Sequence, residues 1–352
     1  MSDSYQSDLN PVFDFRQISE IKNNVENLIN LIQVDKSNKG LLKVMPANKW
    51  MEQAKTRPIP KMIFGEFWYE GELCILFADT NLGKSILAVQ IANSISNGEQ
   101  IKGFRLEADK QPVLYCDFEL SDKQFENRYS NSYKDHYTFD DNFIRVEIDP
   151  NSIVPDNLSF EEYLYNSIER SIIENEAKIL IIDNLTYLKN ETEKAKDALP
   201  LMKHLKALKT RFGLSILALA HTPKRDLSKP ITRNDLQGSK MLINFCDSCF
   251  TIGESQKDSN IRYLKQIKVR QKEFIYDNAN VCVCQIEKPY NFLKFSLINF
   301  SYEREHLKEI SEKDKKDKIL EVKELSKEGK SQRQISNILG ISLGMVNKYI
   351  KM

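Results

Sequence analysis

Through its middle the chain carries short, almost uninterrupted apolar runs, and towards both ends the apolar residues recur three and four apart. The runs 72–78, 112–119, 178–184, 214–221 and 248–252 have the length of strands, and a stretch of helical character follows each of the first four. Strands buried on both faces read as continuous rather than alternating hydrophobic segments, so residues 56–300 are expected to form a parallel sheet with crossover helices. Beyond residue 261 the segments IRYLKQIKVR, NVCVCQI and FLKFSLINF are joined by short turns. The sheet should therefore end in an antiparallel section. At the start, Ile18, Ile21, Val25, Leu28, Ile29 and Ile32 line one face of a helix over 15–34, within an N-terminal extension of residues 1–55. Residues 301–316 are dense in charge and read as a helical linker, and residues 317–352 read as short helices.

A length of 352 residues suits two domains, or one large domain with an appendage. Lys and Arg number 51 against 50 Asp and Glu, for a formal net charge of +1. That balance excludes a generally basic nucleic-acid coat, so any contact with nucleic acid has to come from a local patch. The longest uncharged apolar runs fall far short of the roughly 20 residues that cross a bilayer. The opening MSDSYQSDLNPVFDF lacks the basic and apolar regions of a secretory leader. The expectation is a cytoplasmic protein with no membrane partner. Cys246 with Cys249, and Cys282 with Cys284, have spacings that a zinc site could use. All four sit among apolar β-formers, where a thiol acts as a small hydrophobe, and core packing is the favoured expectation.

The strongest chemical signal is ELCILFADTNLGKSILAVQIANSIS. A strand runs into Ala78, Asp79, Thr80, Asn81 and Leu82, then Gly83, Lys84 and Ser85, and a helix is entered through Ile86. A phosphate-binding loop requires that context. Backbone amides and the helix N-terminus cradle the anion, Lys84 reaches the β- and γ-phosphates of ATP, and the Ser85 hydroxyl serves Mg²⁺. The first glycine of G-x-x-x-x-G-K-[ST] is Ala78 here, which serves if φ is negative. In KILIIDNLTYL an apolar strand ends in Asp183, where such folds hold Mg²⁺ through water. In VLYCDFELS a strand leads to Glu119, placed to accept a proton from the water attacking the γ-phosphate. Read alone, Glu119 equally suits the first turn of a helix capped by Ser121.

With these residues in hand, a family resemblance follows. VLYCDFELSDKQFENR is similar to the S-L-E-M-S…R segment of DnaB-type replicative helicases. ADTNLGKS, RPIPKMIFGEFWYEGEL and ILALAHTPKR resemble still more closely the RepA-like hexameric ATPases of plasmids. The likeness spans about residues 56–300. It implies an α/β fold: a RecA-like P-loop NTPase core, a mainly parallel sheet with antiparallel C-terminal strands. It implies that Lys84, Ser85 and Asp183 hold ATP and Mg²⁺, that Glu119 orients the attacking water, and that His221 senses the γ-phosphate. Gln237-Gly238-Ser239 resembles a segment that touches the nucleotide or the neighbouring subunit. Lys268 and Arg270 resemble a K-x-R strand that reaches in trans into the next subunit's site. Alternation puts both cations on one strand face, and a solvated edge strand would look the same. A trans arginine implies a homo-oligomeric ring, a hexamer in the family. The helix over 15–34 would then strap a neighbouring subunit, or else cover its own core.

The loop TPKRDLSKPITRND carries Lys224, Arg225, Lys229 and Arg233. The resemblance implies that it faces a ring's pore and tracks single-stranded DNA; it has cations for phosphates but no aromatic to stack a base. A solvated loop is the alternative. GKSQRQISNILGISLGMVNKYIKM reads as a helix-turn-helix. Ser331 and Gln334 make a capping box, Ile335, Ile338 and Leu339 give an inner face, and Gly340 permits the turn. Ser342 caps a second helix with Val346, Tyr349 and Ile350 inward, and Ile319, Leu320, Val322 and Leu325 mark a third helix before them. The module resembles resolvase-type and sigma-like ones, which implies that Ser342, Leu343, Gly344, Asn347 and Lys348 face duplex DNA. A three-helix protein-binding module is the alternative. Together these readings describe an Mg²⁺-dependent ATP hydrolase acting on DNA, a helicase or translocase for plasmid or mobile-element replication or mobilisation. An ATP-switched DNA-binding regulator without unwinding is the second reading, and an ATPase whose tail recruits a protein is the third.

Overall fold

Apolar side chains at every position of 73–78 need cover on both sides, and the chain supplies it by building one large sheet with helices on each face. A computed structural model describes residues 42–188, 198–223, 225–236, 239–270, 272–309 and 312–352. The helix expected over 15–34, Lys224 and Gln237-Gly238 lie outside these residues. The chain divides into two units between Ile59 and Pro60. In the first, α1 (Ala47–Lys55) follows Pro46 and buries none of its residues.

The second unit begins with β1 (Met62–Phe64), β2 (Trp68–Tyr69), β3 (Leu73–Ala78) and α2 (Lys84–Asn97). Then come β4 (Val113–Asp117), α3 (Asp122–Arg128), β5 (Ser130–Asn131), β6 (Asp135–His136) and β7 (Phe143–Val146). They lead to α4 (Phe160–Glu174), β8 (Ile179–Asp183), α5 (Ala198–Phe212), β9 (Ser215–His221) and α6 (Ser239–Phe245). The last strands are β10 (Ser248–Glu254), β11 (Ile261–Lys268), β12 (Val281–Glu287) and β13 (Lys294–Ser301), followed by α7 (Glu312–Lys327), α8 (Gln332–Leu339) and α9 (Leu343–Ile350). The main sheet has nine strands in the order β13-β12-β11-β10-β3-β9-β8-β4-β7. Every pairing from β10 through to β7 is parallel, and every pairing from β10 out to β13 is antiparallel. The sheet is thus mainly parallel with an antiparallel C-terminal section, as the apolar runs predict.

Alternation along β3 defines the two faces. Cys74, Leu76 and Ala78 join the layer covered by α2 and by Phe64, Phe67 and Trp68, whereas Leu73, Ile75 and Phe77 join the layer under α4, α5 and α6. Burying a side chain of this size contributes roughly 2 kcal/mol, so β3 is held firmly from both sides. The thiols divide the same way. Cys282 and Cys284 belong to the first layer and Cys246 and Cys249 to the second, all of them buried. The two pairs face opposite sides of the sheet and cannot share one zinc ion.

The last three helices close on their own small core of Val322, Ile335, Ile341, Val346 and Tyr349. Ser331 and Gln334 form the expected capping box, Gly340 takes φ +60°, and Ser342 Oγ accepts the Met345 amide at 3.2 Å. Two expected inner residues face outward instead, Ile338 and Leu320, each 57% exposed. The inward stripe of α8 passes through Ile335 and Leu339, four apart, and Ile341 beyond the turn fills the remaining space. None of the described helices is long and apolar enough to cross a membrane.

Candidate active site

The 79–83 loop leaves the buried end of β3 and enters α2. Ala78 is not among the residues with positive φ, so alanine fits where glycine was expected. Asn81 (φ +65°) and Gly83 (φ +93°) are left-handed. Gly83 is needed twice over: besides its backbone angle, a Cβ there would lie 2.9 Å from the Phe295 ring and 3.1 Å from Ile286. Gln90 of α2 fixes that ring's strand, donating to Phe295 O at 2.9 Å and accepting the Phe295 amide at 2.9 Å. The first amides of α2 have no intrahelical partner and carry the positive end of the helix dipole, which suits an anion. Lys84 is buried at this point. Its Nζ donates to the carbonyls of Ala78 and Asp79, both at 3.1 Å, and lies 3.3 Å from His221 Nδ1. Burial lowers its pKa, against the pull of Asp183, Glu119 and Asp79.

Parallel strands bring their carboxyl ends together, and register sets Asp117 opposite Asp183 and Ala78 opposite His221. Asp183 is fully buried. Its Oδ2 accepts the Tyr115 hydroxyl at 2.7 Å, while its Oδ1 has no hydrogen-bond partner among the described residues. Burial pushes the carboxyl up to about 6, with the Ser85 and Tyr115 hydroxyls beside it pulling the other way. An unpartnered buried carboxylate oxygen next to a serine hydroxyl is the oxygen donor set that Mg²⁺ takes when phosphates complete its shell. These two residues fit the ion.

Glu119 stands on the turn between β4 and α3; Ser121 caps that helix as expected, with Gln124 completing a capping box. Asn184 Nδ2 donates to Glu119 Oε1, and His221 Nε2 lies 3.5 Å from the same oxygen. The His221 ring holds the Glu119 carboxyl below its usual range. The ring's Nδ1 faces Lys84, and its Nε2 lies between Glu119 Oε1 and Asn184 Nδ2, the latter at 3.0 Å. His221 thus links the loop lysine to the candidate base.

The remaining predicted residues lie elsewhere. Lys268 donates to the carbonyls of Ile243, Asn244 and Cys246 at the end of α6, and Arg270 Nη1 pairs with Asp247 at 2.7 Å. The edge-strand alternative is corrected, because β11 runs inside the sheet between β10 and β12. Lys268 is level with Cys249, which neighbours Ile75, whereas the phosphate loop follows Ala78. The cations therefore sit towards the opposite end of the strands from their own loop. In the loop after His221, Arg225 Nη1 donates to Lys229 O at 3.0 Å and Lys229 Nζ donates to Gly340 O at 3.2 Å. Ile231 anchors this loop: its amide donates to Glu303 and its carbonyl accepts from Lys265, which pairs with Glu303 at 2.6 Å in the interior. It is neither a free tether nor simply solvated. Arg233 is exposed on a single 3₁₀ turn. Ser342 caps α9, and Leu343, Gly344, Asn347 and Lys348 are exposed along it.

Four participants escape the sequence reading. Asn184 follows Asp183 directly, and a polar residue at a strand end usually signals only a turn. Tyr115 looks like one more apolar strand residue. Asp117 and Arg145 pair at 2.9 Å between β4 and β7, and β7 itself goes unread because it is four residues long. A lone cation inside the apolar run F-I-R-V was the available signal.

Comparison with known proteins adds the following. Residues 42–226 match the family described as AAA domain. No curated protein matches the chain. Among solved structures, a KaiC-like protein from the hyperthermophilic archaeon Pyrococcus horikoshii OT3 is 14% identical, covering 65% of this chain and 90% of that one with a TM-score of 0.43. At that TM-score the likeness adds nothing to the sheet order described above.

Proposed function

The chain belongs to the AAA-domain family, a P-loop ATPase, and from that premise we propose that it couples ATP hydrolysis to work on DNA as a homo-oligomeric, RepA-like helicase or translocase. One observation carries the hydrolytic part: Lys84, Asp183, Glu119 and His221, from four separate segments, converge at the carboxyl ends of β3, β4, β8 and β9. In this reading the amides of 79–83 and Lys84 bind the β- and γ-phosphates. Ser85 and Asp183 hold Mg²⁺, which supplies charge neutralisation there. Glu119 accepts the proton of the attacking water. Lys268 and Arg270 would serve a neighbouring subunit, since Lys268 is level with Ile75, about 10 Å at 3.3 Å per residue short of Ala78, where β3 passes into their own loop. Duplex DNA would meet the exposed side of α9 at Asn347 and Lys348, and a single strand would meet the cations 224–233.

The second reading, an ATP-switched DNA-binding regulator, is favoured by the anchoring of the 222–236 loop and by the bond from Lys229 to Gly340. A loop held this way suits signalling to the terminal helices better than tracking a strand. Measuring ATPase rate against protein concentration, with single-stranded, duplex or no DNA, separates the readings. A rate that climbs with concentration and with single strands supports the motor. Stimulation by duplex alone favours the regulator. A flat rate blind to DNA overturns the DNA reading.

A further inference from the structure

Arg145 occupies the third position of β7, in register with Tyr115 of β4. Its side chain is 19% exposed, and its guanidinium engages the segment that joins β4 to α3. Nε donates to Asp117 Oδ2 at 2.9 Å, and Nη2 donates to the Leu120 carbonyl at 2.7 Å. Nη1 lies 3.3 Å from Asp122 Oδ1, Nη2 lies 3.3 Å from Glu147 Oε2, and the group stacks 4.9 Å from the centre of the Phe125 ring. Asp117, buried at the end of β4, uses its other oxygen on the same turn: Oδ1 accepts the Glu119 amide at 3.3 Å and the Leu120 amide at 3.0 Å. The turn that carries Glu119 is therefore held by its amides through Asp117 and by a carbonyl through Arg145. Arg145 is also the cation paired with the Asp117 carboxyl in the interior.

We propose that Arg145 is a positioning residue for hydrolysis. It locks the 118–121 turn so that the Glu119 carboxylate stays against His221 and Asn184 rather than swinging into solvent. This rests on the reading of Glu119 as the base. The chemistry asks for arginine specifically, because one planar fork must bond a carboxylate and a carbonyl at once, which an ammonium cannot reproduce in the same geometry. The β4–β7 backbone ladder and the packing of Ile144 and Val146 do not depend on the guanidinium.

The test uses the full-length protein with Arg145→Ala, Arg145→Lys, Glu119→Gln and the double variant Arg145→Ala/Glu119→Gln. Single-turnover ATP hydrolysis and titration with a fluorescent non-hydrolysable ATP analogue are read side by side. Displacement of a catalytic group by about 1 Å costs on the order of 10²-fold in rate. Arg145→Ala should lose that much turnover and keep its affinity for the analogue. Arg145→Lys should recover only part, and added guanidinium ion should restore part of the alanine variant's rate. The double variant should be no slower than Glu119→Gln alone, since a missing base cannot be misplaced. Full turnover in Arg145→Ala beside an inactive Glu119→Gln overturns the positioning role, and so does a further loss in the double variant. Full turnover in Glu119→Gln instead sinks the reading of the base. If Arg145→Ala does not fold, Arg145→Gln takes its place with the same outcomes, and failure of both to fold assigns Arg145 to stability and overturns the proposal.

Discussion

At the amino ends of the central strands, Asp247 accepts the Leu73 amide at 3.0 Å, Lys209 at 2.7 Å and Arg270 at 2.7 Å, while Glu72 takes the Tyr69 amide and the Ser248 hydroxyl. At the carboxyl ends of the same sheet, Asp183 leaves one oxygen without a hydrogen-bond partner among the described residues, and Lys84 rests against neutral carbonyls. Both ends bury acids near cations, yet Asp247 and Asp183 shift in opposite directions, while burial raises Glu72 at the amino end as it does Asp183. Burial opposes the ionisation of Asp247, but the Leu73 amide and Lys209 overcome it and hold the carboxyl below its ordinary range. Burial wins at Asp183, which is pushed up to about 6. A buried charge with its partners in place fastens strands together. One left short of partners is unstable by itself and is completed by a ligand.

The sharpest way to break this contrast is at Glu119. Glu119→Gln should lower turnover by about 10²–10⁴-fold while ATP still binds; equilibrium binding and burst kinetics on the same sample check both halves. Asp247→Ala attacks the opposite end and should cost about 4 kcal/mol of stability, read by urea unfolding, with nucleotide affinity of the folded protein unchanged. Asp183→Asn should do the reverse in protein without nucleotide or Mg²⁺. An aspartate whose folded pKa lies above its ordinary value binds its proton more tightly folded than unfolded. Stability then falls as pH rises from about 4 to about 6 and stays lower above that. Removing the charge should therefore gain about 3 kcal/mol at pH 8 and almost nothing near pH 4, and denaturation midpoints across that range decide it. The smallest change is Ser342→Ala, which removes the α9 cap and should cost about 1 kcal/mol. Hydrogen exchange should quicken in the last helices, with DNA-free ATPase unaltered.

How far the sequence speaks depends on whether a residue's partners are near it in the chain. The 78–86 segment was legible because strand, loop, Gly-Lys-Ser and helix follow one another directly. Asp183 and Glu119 end apolar runs downstream of that loop, whereas His221 was singled out through the family resemblance. The bond between Asn184 and Glu119 was not, since it joins segments that only the parallel sheet brings together. Arg145 and Asp117 stayed hidden for the same reason, on a strand too short to announce itself. Alternation placed Lys268 and Arg270 on one face, but Asp247 and the end of α6, which occupy them here, belong to another segment. Lys229 looked like a loop cation because Gly340 lies far along the chain. Periodicity over two helical turns also could not decide between Ile338 and Ile341 for the small C-terminal core.

The contact between Gly83 and Phe295 bears on when the protein becomes competent during its synthesis. The loop sequence leaves the ribosome early, but the ring that seats it belongs to the last strand of the sheet, and contacts so distant in sequence form late. A nascent or prematurely terminated chain therefore displays the Gly-Lys-Ser motif without the finished cradle. The seat of Gly83 is complete only in chains translated through β13.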